Sequence, residues 1–215
     1  IWFVVPAVYL WIMGCVYNIP PIRSKDRPYI DVLSESINNP LRLMLGWYAT
    51  GIELMLPLSL LMAYWMLGAF FMTVKRFAEF RSLRDASLAA QYRASFRFYN
   101  EQILVVATSF YCVTFGLFAG IFLIHYRLEL ILTIPFLAGF IAWYLHIGFK
   151  KDSPAQNPEK LYKEKFFMGY LVFCVCFTMV TLLVDVPILY KSFQPTTEVV
   201  EVLQAPEATE ISSPQ

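Results

Sequence analysis

Residues 103–149 read ILVVATSFYCVTFGLFAGIFLI, then HYR, then LELILTIPFLAGFIAWYLHIGF. The two largely apolar runs, 103–124 and 128–149, have 22 residues each. A helix of that length extends about 33 Å, which matches a hydrocarbon core of about 30 Å. The polar link 125–127 is long enough only to turn the chain. The pattern therefore predicts two antiparallel membrane-spanning helices.

The composition of the whole chain agrees with a membrane protein. Of its 215 residues 58% are hydrophobic and only 15% are charged, which is too apolar for an ordinary soluble domain. The net charge of +1 does not suggest a nucleic-acid-binding protein. The two histidines have no zinc or triad spacing, and the cysteines are interpreted as packing residues within apolar runs. These cysteines are Cys15, Cys112, Cys174 and Cys176.

Four further spans are predicted from the remaining apolar runs. Residues 1–17 form one helix, which ends before Pro20 and Pro21. Residues 41–74 would be about 51 Å long as a single helix, so we expect a fold-back near 51–57 with a short first limb. Residues 166–188 form the last span. The prediction is an all-α integral membrane bundle of six transmembrane helices over residues 1–192, followed by a disordered acidic tail at 193–215.

The distribution of basic residues predicts the orientation. Fifteen of the 17 lysines and arginines lie in the loops 18–40, 75–100 and 149–165 or at Arg42. Six spans place all fifteen on one side and leave Arg127 and Lys191 on the other. Because cytosolic loops are enriched in Lys and Arg, these three loops are predicted to be cytosolic.

The most distinctive polar segment is YNIPPIRSKDRPYID, residues 17–31. Arg23, Lys25 and Arg27 occupy alternate positions, so an extended backbone would direct them to one side. Three aligned cations at a membrane surface suit a phosphate or diphosphate. The same charges would serve equally well as an anchor to lipid headgroups.

A second polar segment, KRFAE at residues 75–79, follows a long apolar run. Lys75 and Glu79 are four residues apart and share a helix face. By itself the segment could be a snorkelling helix end with an ion pair. The loop 149–165 is interpreted as a plain positive-inside loop.

The pattern Tyr17-x-x-Pro20-Pro21-x-Arg23-x-Lys25 resembles the YxxPPxRxK signature of the UbiA prenyltransferase superfamily, and the match extends through Arg27, Pro28 and Asp31. In that family the signature follows the fourth of nine membrane helices. The resemblance implies that this chain, which begins at Ile1 with residues that look mid-helical, is the C-terminal part of a nine-helix fold. It also implies an Mg²⁺ cofactor, held by an Asp-rich motif upstream of residue 1, with no metal ligand in this chain.

The KRxAE segment stands where the family has its second Asp-rich motif, and it is similar to the branch typified by decaprenyl-phosphate phosphoribosyltransferase. That similarity implies transfer of phosphoribose from phosphoribosyl diphosphate to a polyprenyl phosphate. The implied catalytic residues are Lys75, Arg76 and Glu79. The implied phosphate-binding residues are Tyr17, Arg23, Lys25 and Arg27, with Asp31 as a further site residue.

The partners implied are an isoprenoid lipid, a phosphorylated sugar or an aromatic co-substrate, and the bilayer, with no nucleic acid. The expected location is the bacterial inner membrane, with the site facing the cytosol. Two other functions stay open from the sequence. One is prenyl transfer from a polyprenyl diphosphate to an aromatic or other small acceptor. The other is a non-catalytic scaffold or an inactive fragment.

Overall fold

The computed structural model describes residues 2–83 and 91–193, and every regular element within them is helical. The expected tail from residue 194 onward and Arg84 lie outside the described residues. The α-helices, numbered here in chain order, are α1 (Val4–Asn18), α2 (Ile30–Ser36), α3 (Asn38–Ala49), α4 (Leu58–Ser82), α5 (Glu101–Tyr126), α6 (Ile134–Gly148), α7 (Lys165–Leu183) and α8 (Pro187–Phe193).

Within residues 2–83 and 91–193, four helical segments are long and apolar enough to cross a membrane. These are Leu58–Ser82, Glu101–Tyr126, Leu128–Gly148 and Lys165–Leu183. Helix α1 is apolar but has only 15 residues, and α3 has 12, so neither reaches the length of a full span. The all-α fold agrees with the sequence prediction, and the four long apolar segments are compatible with a multi-pass membrane protein, whereas the spans at α1 and α3 stay predictions.

The predicted fold-back within residues 41–74 is present. Residues 50–57 are non-helical, and Gly51 has a φ of 82°, a conformation that glycine adopts without strain. Asn39 near the start of α3 lies directly against Gly68 of α4. These two residues are equally far along the chain from the turn, so α3 and α4 run antiparallel. A single 34-residue helix is therefore excluded.

Helix α4 is the central element of the bundle. Its buried face carries Phe70, Val74 and Phe77, each at most 1% exposed. Phe71 packs edge-on against Tyr144 of α6, with ring centroids 4.7 Å apart. Because α4 contacts α2, α3, α5 and α6, a side chain near its C-terminus is held between several elements.

The three basic loops meet at one end of this bundle, called here the loop end. Gln156 Nε2 donates a hydrogen bond to the carbonyl of Ala78 at 3.2 Å, and Arg81 Nη1 donates one to the carbonyl of Phe149 at 3.3 Å. Residues 18–40, predicted to be a plain polar loop, contain α2, which packs on α4. At the opposite end, Arg127 Nη2 lies 2.9 Å from a carboxylate oxygen of Asp185.

Replacing Gly148 by Ala is expected to destabilise the bundle. A Cβ at Gly148 would lie 2.7 Å from Cγ1 of Val74, a fully buried residue on α4. Val74 is β-branched and has few alternative rotamers, so the clash cannot be relieved cheaply. Overpacking of this kind costs about 1–3 kcal/mol. We expect a lower melting temperature in detergent, measured by the loss of the monodisperse peak on size exclusion.

Gly116→Ala is the matched control, because nothing lies within 4 Å of a Cβ built at that position of α5. Alanine has the higher helix propensity, so this variant should be neutral or slightly more stable. The double variant Gly148→Ala with Val74→Ala should recover part of the loss. An unchanged melting temperature for Gly148→Ala alone would contradict the close packing of α4 and α6.

Candidate functional site

A buried arginine organises the loop end. Arg76, near the C-terminus of α4, is only 2% exposed. Its Nη2 donates to Glu35 Oε2 at 2.6 Å, and its Nη1 donates to Glu79 Oε2 at 2.8 Å. Its Nε lies 3.7 Å from Asp31 Oδ2. One guanidinium thus faces three carboxylates, two of which come from α2, and the set is called here the Arg76 cluster.

A second arginine approaches the same cluster from residues 91–100. Arg93 Nη2 donates to the Tyr17 hydroxyl at 2.8 Å, and its Nε lies 3.5 Å from Asp31 Oδ2. The Tyr17 hydroxyl in turn donates to Glu35 Oε2 at 2.9 Å. The Nε atoms of Arg76 and Arg93 are both buried without a hydrogen-bond partner in the described part of the chain. Tyr17 therefore joins the end of α1 to α2 and to residue 93.

Asp31 is the most deeply buried carboxylate of the site, with 0% exposure. It accepts hydrogen bonds from the Tyr99 hydroxyl at 2.8 Å and from Ser95 Oγ at 3.2 Å. Burial raises the pKa of the Asp31 carboxyl and outweighs the opposing effects of Tyr99, Arg93 and Arg76. Burial, followed by the charge of Asp31, raises the pKa of Tyr99, which therefore stays a neutral donor.

The three motif cations lie outside the Arg76 cluster. Arg23 Nε pairs with Asp26 at 2.9 Å, and Lys25 Nζ donates to Asn18 Oδ1 at 3.2 Å. Arg27 is exposed and has no ion pair or hydrogen bond from its side chain within the described part of the chain. The expectation of an extended segment is wrong. Arg23 has a left-handed φ of 34° and residues Ser24–Asp26 form a 3₁₀ turn, so alternate side chains do not align.

Two of these cations line a polar cavity of about 630 Å³ at the loop end, called here the basic pocket. Arg93 and Arg97 also line it, so the described lining of the pocket has four cations and one carboxylate, that of Asp26. Arg97 is exposed and has no side-chain partner among residues 2–83 and 91–193. The pocket can hold an anion such as a phosphate or diphosphate.

Lys75 points away from Arg76. Consecutive helical residues are about 100° apart, so the two side chains leave α4 on different faces. Lys75 is partly buried and lines a second cavity of about 510 Å³, between α4, α6 and α7. The structure thus brings Arg76, Glu79, Asp31 and Tyr17 together, and it separates Lys75 from them.

The carboxylates of the Arg76 cluster do not fit a magnesium site. All three are directed at a guanidinium, and no group of three or more potential metal ligands occurs among the described residues. Magnesium binding usually relies on carboxylates that are free to coordinate the ion together with water and substrate phosphates. No chemical step is therefore assigned to a metal held by these residues.

Sequence reasoning missed Glu35, Arg93, Arg97 and Tyr99 as members of the site. Arg93 and Arg97 were counted as basic residues of a cytosolic loop, and Glu35 carried no motif. The signal for the arginines was their spacing of four residues immediately before a membrane span. Only the folded chain shows that they face the motif at 17–31.

Arg76→Gln is expected to lower the stability of the protein substantially. It leaves Asp31, Glu35 and Glu79 without their shared cation, and removing one partner of a buried ion pair costs about 3–5 kcal/mol. The measurement is thermal melting in detergent. Glu79→Gln in the same chain removes one uncompensated charge and should restore part of the loss.

Arg27→Gln provides the control, because it removes the same charge from an exposed side chain and should be within about 0.5 kcal/mol of the parent. Equal melting temperatures for the Arg27 and Arg76 variants would show that the Arg76 cluster does not hold the loop end together.

Comparisons of the chain with models of protein families, with curated protein sequences and with solved structures give no match. The chemistry of this site is therefore inferred from its own side chains and from the motifs at residues 17–31 and 75–79.

Proposed function

We propose that the chain belongs to a UbiA-type membrane transferase that moves phosphoribose from phosphoribosyl diphosphate to a polyprenyl phosphate. One observation carries the proposal. The two polar motifs that resemble this family, 17–31 and 75–79, are far apart in sequence, yet Tyr17 and Asp31 of the first lie in one buried cluster with Arg76 and Glu79 of the second. Six spans, a nine-helix parent fold, the bacterial inner membrane and a cytosolic site are parts of this proposal.

The proposed reaction exchanges one bond at the sugar. An oxygen of the lipid phosphate forms a bond to C1 of the ribose, the bond from C1 to the diphosphate breaks, and diphosphate leaves. Negative charge accumulates on the leaving group, and fixed cations at that position lower the barrier. In this chain Arg23, Lys25 and Arg97 of the basic pocket are the cations suited to that task.

The Arg76 cluster has a different part in the proposed mechanism. Arg76 is already bonded by Glu35 and Glu79, so a phosphate would have to displace a carboxylate to reach it. Its contribution is to hold α2 and the motif loop against α4. We therefore treat Arg76 and Glu79 as positioning residues, rather than as direct phosphate ligands.

Prenyl transfer is the principal alternative, and cation placement favours the phosphoribosyl function over it. Cations line more than one cavity of the described structure: the basic pocket, the cavity beside Lys75, and a smaller one lined by Arg81, Lys150 and Lys151. Two phosphate-bearing substrates require two such places, whereas one prenyl diphosphate and an uncharged acceptor require only one.

The test is to assay the complete protein in membranes with two substrate pairs. Phosphoribosyl diphosphate with polyprenyl phosphate is expected to yield the phosphoribosyl lipid and free diphosphate. Polyprenyl diphosphate with aromatic acceptors is expected to yield no product. Turnover only with the second pair would replace phosphoribosyl transfer by prenyl transfer, and no turnover with either pair would favour a scaffold.

Arg97→Gln is expected to raise the KM for phosphoribosyl diphosphate by about tenfold or more, since a hydrogen bond to a charged group contributes about 1.5–3 kcal/mol. The KM for polyprenyl phosphate should change little. Arg42→Gln is the matched control, because Arg42 is an exposed arginine of α3 outside the basic pocket. Equal effects of the two substitutions on the KM for phosphoribosyl diphosphate would remove the basic pocket from the mechanism.

A further inference from the structure

Lys75 is a cation without a partner. Its ammonium group makes no hydrogen bond or ion pair with any residue that the structure describes. Its neighbour Arg76 has two direct carboxylate hydrogen bonds. A lysine beside an apolar surface normally finds a counter-ion or extends into water, so the ammonium group of the partly buried Lys75, which has no partner among the described residues, is available to an anionic ligand.

The cavity beside Lys75 is a groove of about 510 Å³ with mainly apolar walls. Its apolar walls include Phe71 of α4, Phe140 and Tyr144 of α6, and Phe167 and Leu171 of α7. Glu159 lies at its rim but forms no ion pair with Lys75, as far as the described residues show. Lys75 is therefore the only basic side chain among those that line the groove in the described structure.

The charge and the apolar walls are arranged along the helix axes. Lys75 lies toward the loop end, and Gly68, which also lines the groove, is two turns or about 10 Å deeper on α4. On α7, Phe167 lies near the loop end and Leu171 is one turn deeper. A ligand that fills this groove has an anionic head beside Lys75 and an apolar chain that extends toward the middle of the bundle.

We propose that this groove binds the polyprenyl phosphate, with the phosphate on Lys75 and the first part of the chain between Phe71, Phe140 and Leu171. The choice of this lipid rests on the proposed function. The groove volume lies within the range of small-molecule sites, about 300–1,000 Å³, so the groove can hold the head and the first part of one chain. The wall aromatics offer large apolar contact area to such a chain.

Binding can be measured without turnover, using radiolabelled polyprenyl phosphate and the complete protein in nanodiscs. Lys75→Gln is expected to weaken binding by about tenfold or more, and Lys75→Arg should retain most of it because the charge is kept. Lys151→Gln is the control, since Lys151 is an exposed lysine at the same loop end and lies outside the groove. Unchanged binding by Lys75→Gln would overturn the assignment.

The apolar part of the site has its own test. Leu171→Trp narrows the groove and is expected to weaken polyprenyl phosphate binding by about tenfold. Leu183→Trp makes the same exchange on α7 at a side chain that is 84% exposed, and it should leave binding unchanged. Equal binding by both variants would show that the chain does not occupy the groove, even if Lys75→Gln does not fold.

Competition experiments show whether the groove distinguishes polyprenyl phosphate from a lipid without phosphate and from a phosphate lipid with two chains. Polyprenol of the same chain length and phosphatidic acid should each displace the labelled lipid poorly. Displacement by phosphatidic acid as effective as by polyprenyl phosphate would overturn the choice of a single-chain lipid. If binding depends on Lys75 but no phosphoribosyl transfer occurs, the lipid site is supported and the proposed reaction is rejected. If transfer occurs but binding does not depend on Lys75, the proposed reaction is supported and the lipid site is rejected.

Discussion

The packing of the loop end depends on the ion pairs that the buried guanidinium of Arg76 forms with carboxylates. An unpaired ion in a low-dielectric interior is too costly to persist, so the guanidinium must be matched by carboxylates from the elements around it. Glu35 and Asp31 come from α2, and Glu79 comes from the next turn of α4. The short helix α2 is held against α4 partly by this requirement, and Trp65 adds a hydrogen bond from its Nε1 to the carbonyl of Leu33 at 3.0 Å.

The cations of the site differ in how far protein groups neutralise their charge. Arg76 is neutralised by protein carboxylates, whereas Arg93 is partly neutralised by Asp31 and donates a hydrogen bond to the neutral hydroxyl of Tyr17. Arg97 and Lys75 have no described partner, and they lie in different cavities. The buried and compensated charge of Arg76 holds the fold, whereas the cations that line the two cavities are available to phosphate. The adjacent residues Lys75 and Arg76 therefore have separate roles, although the sequence presents them as one motif.

Hydrophobic periodicity and length predicted much of the fold. The apolar runs that contain α4, α5, α6 and α7 are long because a helix must cover the hydrocarbon thickness, and that constraint is visible in sequence. The turn between α3 and α4 was predictable because one uninterrupted helix would exceed that thickness. The lengths of α1 and α3 could not be predicted, because the ends of helices depend on local packing and on individual hydrogen bonds. One of these is donated by Trp47 Nε1 to the carbonyl of Leu54 at 2.8 Å.

The sequence by itself determined that this is an all-α chain with several helices long and apolar enough to cross a membrane, and that its basic residues are concentrated in three loops, because both properties depend on composition and order alone. Its motifs at 17–31 and 75–79 also marked Tyr17, Asp31, Arg76 and Glu79 as candidate site residues, through their resemblance to a family signature. Only the tertiary structure decided which of them meet, that Glu35 and Arg93 join them, and that Lys75 faces another cavity. Those outcomes depend on how each helix is rotated about its axis and on the path of the non-helical segments. Electrostatic pairing between distant parts of the chain selects both, and no local sequence pattern encodes them.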